Sequence, residues 1–156
     1  MLTILTDPNP SLRERSRALS VEEITTPEFQ KFLDALIVTM MKDGVGIAAP
    51  QVGKNVRAIV VLMPKGPECF INPEITKKSE GMVDSEEGCL SVPGKFGIVS
   101  RHKKVTIKAV NRHGRRIEFE AKNFPAIIFQ HEIDHLDGIL FIDKATKIVK
   151  AAKTKI

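Results

Sequence analysis

The stretch His131-Glu132-Ile133-Asp134-His135 restricts this chain more than any other. On an α-helix, residues four apart project from one face, so both imidazoles can grip one divalent cation. Glu132 sits too close to the ligands' own turn to be a routine third ligand. It lies instead where it can take a proton from a water that the cation activates. On its own the motif indicates a metal hydrolase without saying what is hydrolysed.

A catalytic ion of this kind needs a third protein ligand. His102 and His113 lie among charged or turn-forming neighbours, which leaves His131 and His135 as the credible histidine ligands. The two cysteines, Cys69 and Cys89, could pair, but a chain that reads as cytosolic favours a metal-ligand or buried role for a thiol. Cys69 precedes Phe70-Ile71 in an apolar run and reads as a small buried hydrophobe. Cys89, in Glu87-Gly88-Cys89-Leu90-Ser91, offers a thiolate on a glycine-containing segment outside the helix. Two neutral imidazoles and one thiolate leave one tetrahedral position open, the layout of a catalytic site.

A third segment, Gly44-Val45-Gly46-Ile47-Ala48-Ala49-Pro50-Gln51, precedes these two. In that order the three motifs resemble those of peptide deformylase, from about Thr6-Asp7-Pro8 to Leu140-Phe141-Ile142-Asp143. The resemblance implies removal of the formyl group from the N-terminal formyl-methionine of new polypeptides. It implies Cys89, His131 and His135 as ligands, Glu132 as general base and acid, and the Gln51 side chain and Leu90 backbone N–H as donors to the oxyanion. It further implies that the substrate backbone pairs as an extra strand with Val45, Gly46 and Gly88. Methionine would enter a pocket of Val45, Phe124, Ile127 and Ile128, and a Glu87–Arg101 ion pair would fix the Cys89 segment. One Fe2+ is the ion that the family suggests, with Zn2+, Ni2+ or Co2+ able to replace it. Two departures stand out. Asn123-Phe124-Pro125 replaces a more typical Gly-Leu-Leu, and Phe96 stands where relatives often carry arginine.

The chain has 156 residues, enough for the single α+β domain expected over 1–156, with a short basic tail from Lys144 to Ile156. No apolar run approaches the roughly 20 residues that span a bilayer. The N-terminus lacks the features of a secretory signal or transit segment, so a cytoplasmic protein is expected. The net charge of +5 collects between Arg101 and Arg116 and in the tail, where Lys144, Lys147, Lys150, Lys153 and Lys155 stand without an acid. No aromatic interleaves either run, which argues against a base-stacking nucleic-acid reader and gives no reason to expect DNA. In bacterial relatives a helical extension at this place touches the ribosome. By resemblance the tail is thus a candidate ribosome contact, with a solvated face as the plain alternative.

Spacing also predicts the elements. Ser11-Leu12-Arg13-Glu14 reads as a capping box opening a short helix. Thr26, Pro27 and Gly44 bound a helix whose apolar face includes Phe29, Leu33, Leu36, Met40 and Met41. Val56 to Leu62 and Cys69 to Ile75 read as buried strands. Lys103 to Asn111 and Arg115 to Lys122 alternate as a hairpin about Asn111-Arg112-His113-Gly114. The last helix runs from Asn123, as its cap, to Asp137-Gly138. Two other functions fit the motifs less well: a peptidase cutting internal bonds, for which no histidine follows His135, and a basic RNA-binding protein with a vestigial site.

Overall fold

The computed structural model describes residues 1–149 and residue 156, and its architecture is α+β with antiparallel sheets. One sheet has five strands in the order β1-β2-β3-β6-β7: β1 Gly46–Ala48, β2 Ala58–Met63, β3 Gly66–Lys78, β6 Lys104–Val110 and β7 Arg116–Lys122. The other has three, β4-β5-β8: β4 Met82–Cys89, β5 Val92–His102 and β8 Lys147–Val149. The helices are α1 Val21–Ile24, α2 Pro27–Asp43, α3 Asn123–Leu136 and α4 Phe141–Lys144. Among the described residues, no helix is long and apolar enough to cross a membrane.

Strand β2 is buried on both faces, which explains why its apolar run does not alternate with polar residues. Ile59 and Val61 join Phe70, Val105, Ile107 and Ala109 in a cluster with Ile128, Phe129, Ile133 and Leu136 of α3. Ala58 and Val60 turn the other way and meet Leu33, Leu36 and Met40 of α2. The larger sheet is thus held between two helices.

Helix α2 begins as its sequence indicates, with the Thr26 hydroxyl accepting the Phe29 N–H at 3.2 Å. Met41, expected on the apolar face, is exposed. The Ser11 box does not form. Asn9 takes its place, its side chain accepting the Ser11 N–H across a single 3-10 turn, Pro10–Arg13. A true Ser-x-x-Glu cap opens α1 instead, where Ser20 accepts the Glu23 N–H and donates to the Glu23 carboxylate. Nor does Asn123 cap α3: it enters the helix at φ 61, and no side chain caps that end.

Two larger differences concern the smaller sheet. The β4–β5 hairpin carries Asp84, Glu86 and Glu87 alongside Val83 and Ser85, so its own pattern predicts no strand. The basic tail, where helical spacing would align Lys144, Lys147 and Lys150, is extended at Lys147–Val149 and pairs with Phe96 to Ile98 of β5. An edge offering unpaired N–H and C=O groups outweighs the weak helical preference of so short a run. Lys150, Lys153 and Lys155 lie outside the described residues.

The end of α3 sets where its histidines lie. Ile139 N–H reaches the Asp134 carbonyl at 3.0 Å, and Gly138 N–H the His135 carbonyl at 3.1 Å, the paired bonds of a Schellman turn. Gly138 adopts φ +74, and a Cβ there would collide with the Arg13 carbonyl. Gly138→Ala should therefore lower stability by about 1–3 kcal/mol. Urea unfolding checks this, and an unchanged midpoint would mean that the turn relaxes without cost.

Candidate metal centre

Helix α3 brings His131 and His135 to one face, with ring centroids 5.1 Å apart. Cys89 arrives from the end of β4, where the β4–β5 hairpin turns through Leu90 and Ser91. The Sγ of Cys89 and one ring nitrogen from each histidine lie within 4.8 Å of one another, all on buried residues. Sγ stands 3.3 Å from Nε2 of His135. A tetrahedral ion bonded at about 2.3 Å to sulfur and 2.0 Å to nitrogen would hold such atoms about 3.5 Å apart. Nδ1 of His131 is taken by the Glu87 carboxylate at 2.8 Å, while its buried Nε2 has no partner among the described residues. An orphaned imidazole nitrogen facing a thiol is what an ion-binding site requires. The residues fit one divalent cation.

Glu132 is fully buried, and neither carboxylate oxygen has a partner among the described residues. Burial lifts its pKa to about 7, against the opposing pull of His131. Strand β1 passes so closely that a Cβ on Gly46 would lie 2.6 Å from Glu132 Oε2 and 2.7 Å from Ile128 Cγ2. Gly46 thus leaves room for the carboxylate beside the backbone.

Gln51 is completely buried, and its amide is oriented from both ends. The Ala48 N–H donates to Oε1 at 2.9 Å, which turns Nε2 toward Ser91 Oγ at 3.1 Å and Cys89 Sγ at 3.6 Å. The 3-10 turn Ala49–Val52 that carries Gln51 lies directly after β1, which joins the two parts of the Gly44–Gln51 motif spatially. Strand β1 is also the edge of its sheet.

The family model described as Polypeptide deformylase matches residues 1–151. The chain belongs to the polypeptide deformylase family. A peptide deformylase from Desulforudis audaxviator (strain MP104C) is 46% identical over 145 residues, covering 92% of each chain. The crystal structure of peptide deformylase from Thermotoga maritima superposes with a TM-score of 0.89 at 38% identity, over 94% of this chain and 99% of that one. The Met-Ala-Ser-bound crystal structure of a class I type b peptide deformylase from Acinetobacter baumannii gives a TM-score of 0.88 at 36% identity, over 92% and 98%.

Most residues singled out from the deformylase motifs converge. Val45, Ile127 and Ile128 share one apolar cluster, with Val45 and Ile127 partly buried. Phe124 stands outside it, 45% exposed at the start of α3. Gly88 pairs with Phe96, which is buried, so no charged side chain stands there. Glu87 and Arg101 form a bidentate pair, Nε to Oε2 at 2.9 Å and Nη2 to Oε1 at 2.8 Å.

Two residues escaped sequence reasoning. Asp134 accepts from Arg101 Nη1 at 2.8 Å and also meets the Lys144 ammonium. Ser91 accepts from Gln51, and its N–H lies 3.4 Å from Cys89 Sγ. Both stand within the quoted motifs, but motif spacing does not say which side chains meet across elements.

The electrostatics follow from these contacts. Burial alone would raise the pKa of Glu87, but the hydrogen bonds from Arg101 and His131 outweigh it and hold the group at about 2. Burial pulls His131 down, yet contacts with Cys89 and Glu87 lift it to about 10. His135 goes far below its ordinary value through burial, then repulsion from His131. A cation at His131 must displace a proton, so binding tightens as pH rises. For Glu87 the folded pKa lies below its ordinary 4.5, so its contribution is complete above that pH and is lost as pH falls through about 2. Glu87→Gln should cost on the order of 3 kcal/mol at neutral pH, since the buried Arg101 charge then keeps only Asp134 of its two carboxylates. The gap from the unsubstituted protein should narrow below about pH 4.5. Denaturant titrations at pH 7 and pH 3 check both statements.

Proposed function

We propose that this chain hydrolyses the N-formyl group of formyl-methionine at the start of newly made polypeptides, releasing formate and a free α-amine. The observation that carries the reading is the convergence of Glu132 and Gln51 on one cluster of Cys89, His131 and His135. A hydrolytic base and an oriented amide donor thus flank the ion-binding atoms, within a chain of the deformylase family.

Cys89 Sγ and the ring nitrogens of His131 and His135 would hold the ion. When bound, the ion supplies Lewis-acid activation of water and of the formyl carbonyl. Fe2+ is the ion of this reading, and Zn2+, Ni2+ or Co2+ suit the same thiolate and imidazole donors. Glu132 accepts the proton of the attacking water at its carboxylate and returns it to the departing nitrogen as the C–N bond breaks. Gln51 Nε2 and the Leu90 N–H stabilise the oxyanion. The substrate backbone adds along the outer edge of β1 at Val45 and Gly46 and meets Gly88 across the cleft. Its methionine side chain enters among Val45, Ile127 and Ile128, with Phe124 at the rim. Glu87 and Arg101 position His131 and the Cys89 segment.

The place of action is the cytoplasm, where nascent chains emerge. The lysine-rich tail supplies an attraction to ribosomal phosphate that depends on charge and is insensitive to sequence. It is supported by five lysines without an acid from residue 144 onward. Replacing Lys147, Lys150, Lys153 and Lys155 by Gln should weaken co-sedimentation with ribosomes at low salt. Equal retention by both proteins at every salt concentration would refute the contact.

Glu132→Ala should keep its metal, measured by elemental analysis of anaerobically purified protein. It should lose about 10²–10⁴-fold in kcat for formate release from a formyl-Met-Ala peptide. The same peptide without its formyl group should not be cut. Internal cleavage of unformylated peptides would instead indicate a peptidase.

A further inference from the structure

Ile156 is only 1% exposed. It belongs to the apolar cluster that contains Ile128, and Val45 and Ile127 pack against that cluster. Its backbone N–H donates to the Gly88 carbonyl at 3.0 Å, one residue before Cys89. Here an aliphatic side chain is buried in the cluster that also holds Ile128, and its N–H is paired with a backbone assigned to the substrate. An extended peptide bound at this place would offer the same two features.

The rest of the fold allows this placement with β8 docked. Val149 pairs with Phe96, and Phe96 pairs with Gly88. Gly88 is therefore two strand spacings from Val149, about 10 Å, while seven residues of chain can reach about 24 Å. Gly97 helps to admit β8: a Cβ on it would lie 2.5 Å from the Lys147 carbonyl and 2.9 Å from Ala145 Cβ.

We propose that Ile156 occupies the substrate subsite of its own chain, so that a peptide binds only when this residue withdraws. The proposal rests on the deformylase reading for the identity of the competing ligand. Self-occupancy reduces the fraction of molecules ready to bind, and apparent affinity falls by that fraction. The chemical step is untouched, because Ile156 has left before substrate enters. The effect should therefore appear in KM and not in kcat.

The test compares the metal-loaded full chain with Ile156→Asp, Ile156→Leu and a chain ending at Val149. An aspartate should not stay in an apolar pocket, whereas leucine fills it as isoleucine does. Ile156→Asp and the shortened chain should lower KM for a formyl-Met-Ala-Ser peptide about 3–10-fold, with kcat within about twofold. Ile156→Leu should keep the KM of the unsubstituted protein. Calorimetry with Met-Ala-Ser should show the same order without any turnover. Equal KM in all four proteins, or a higher KM on removal of Ile156, would overturn the proposal. If none of them releases formate, the proposed function fails, and NMR decides self-occupancy independently. Methyl contacts from Ile156 to Val45, Ile127 or Ile128 would sustain it, and their absence would overturn it.

Discussion

Glu87 lies fully buried between the Arg101 guanidinium and the His131 imidazole, and both neighbours depend on it. A charge out of water is tolerated only when its hydrogen bonds are complete and its partner is close. Arg101 meets this condition with three bonds to two carboxylates, Glu87 on β4 and Asp134 on α3. His131 and Asp134 belong to the same helix, so that helix is tied twice to the smaller sheet through a single carboxylate–guanidinium pair. Nδ1 of His131 is fixed as a result, and Nε2 is left to face Cys89. The charge of a residue that never touches the ion decides which ring nitrogen can bind it.

The same contacts explain how α3 can bury both of its faces. Its apolar side meets Ile59, Val61 and Phe70 of the larger sheet. Its polar side is satisfied by the smaller sheet. Gln130 exchanges hydrogen bonds with the His102 backbone, and His131 bonds to Glu87. Glu132 is left without such a partner, and burial lifts it toward neutral pH. A structural carboxylate in that position would be costly. The proposed reaction makes Glu132 its base, and a group that takes a proton and gives it up again needs to be held in this way.

The two sheets contribute differently to the surroundings of the Cys89, His131 and His135 cluster. The larger sheet ends in β1, whose Gly46 brings backbone against Glu132 and whose continuation presents Gln51. The smaller sheet supplies Gly88 and Cys89, and its third strand comes from the basic tail. Lys147 to Val149 of the tail thus lie against β5, with Val149 beside Phe96. Phe96 holds that contact with apolar surface at a place where a charged residue would prefer water.

Local chemistry alone determined much of this protein. The four-residue spacing of His131 and His135 specifies a helix, and Thr26-Pro27 begins α2 where it is found. Alternation at Val105, Ile107 and Ala109 specifies which face of β6 is buried. These signals are legible because each depends on neighbours within one or two turns or pleats. The β4–β5 hairpin was not legible, since β4 buries Ser85 and Glu87 while exposing Met82 and Val83, and Glu87 is buried only because the Arg101 side chain reaches it. The joining of Ser91 to Gln51, of Asp134 to Arg101 and of Ile156 to Gly88 was equally hidden. Those pairs are separated by 40, 33 and 68 positions in the sequence, and no local rule relates them. Folding decided them, because a polar group leaving water must find its partner wherever the packed elements bring one within reach.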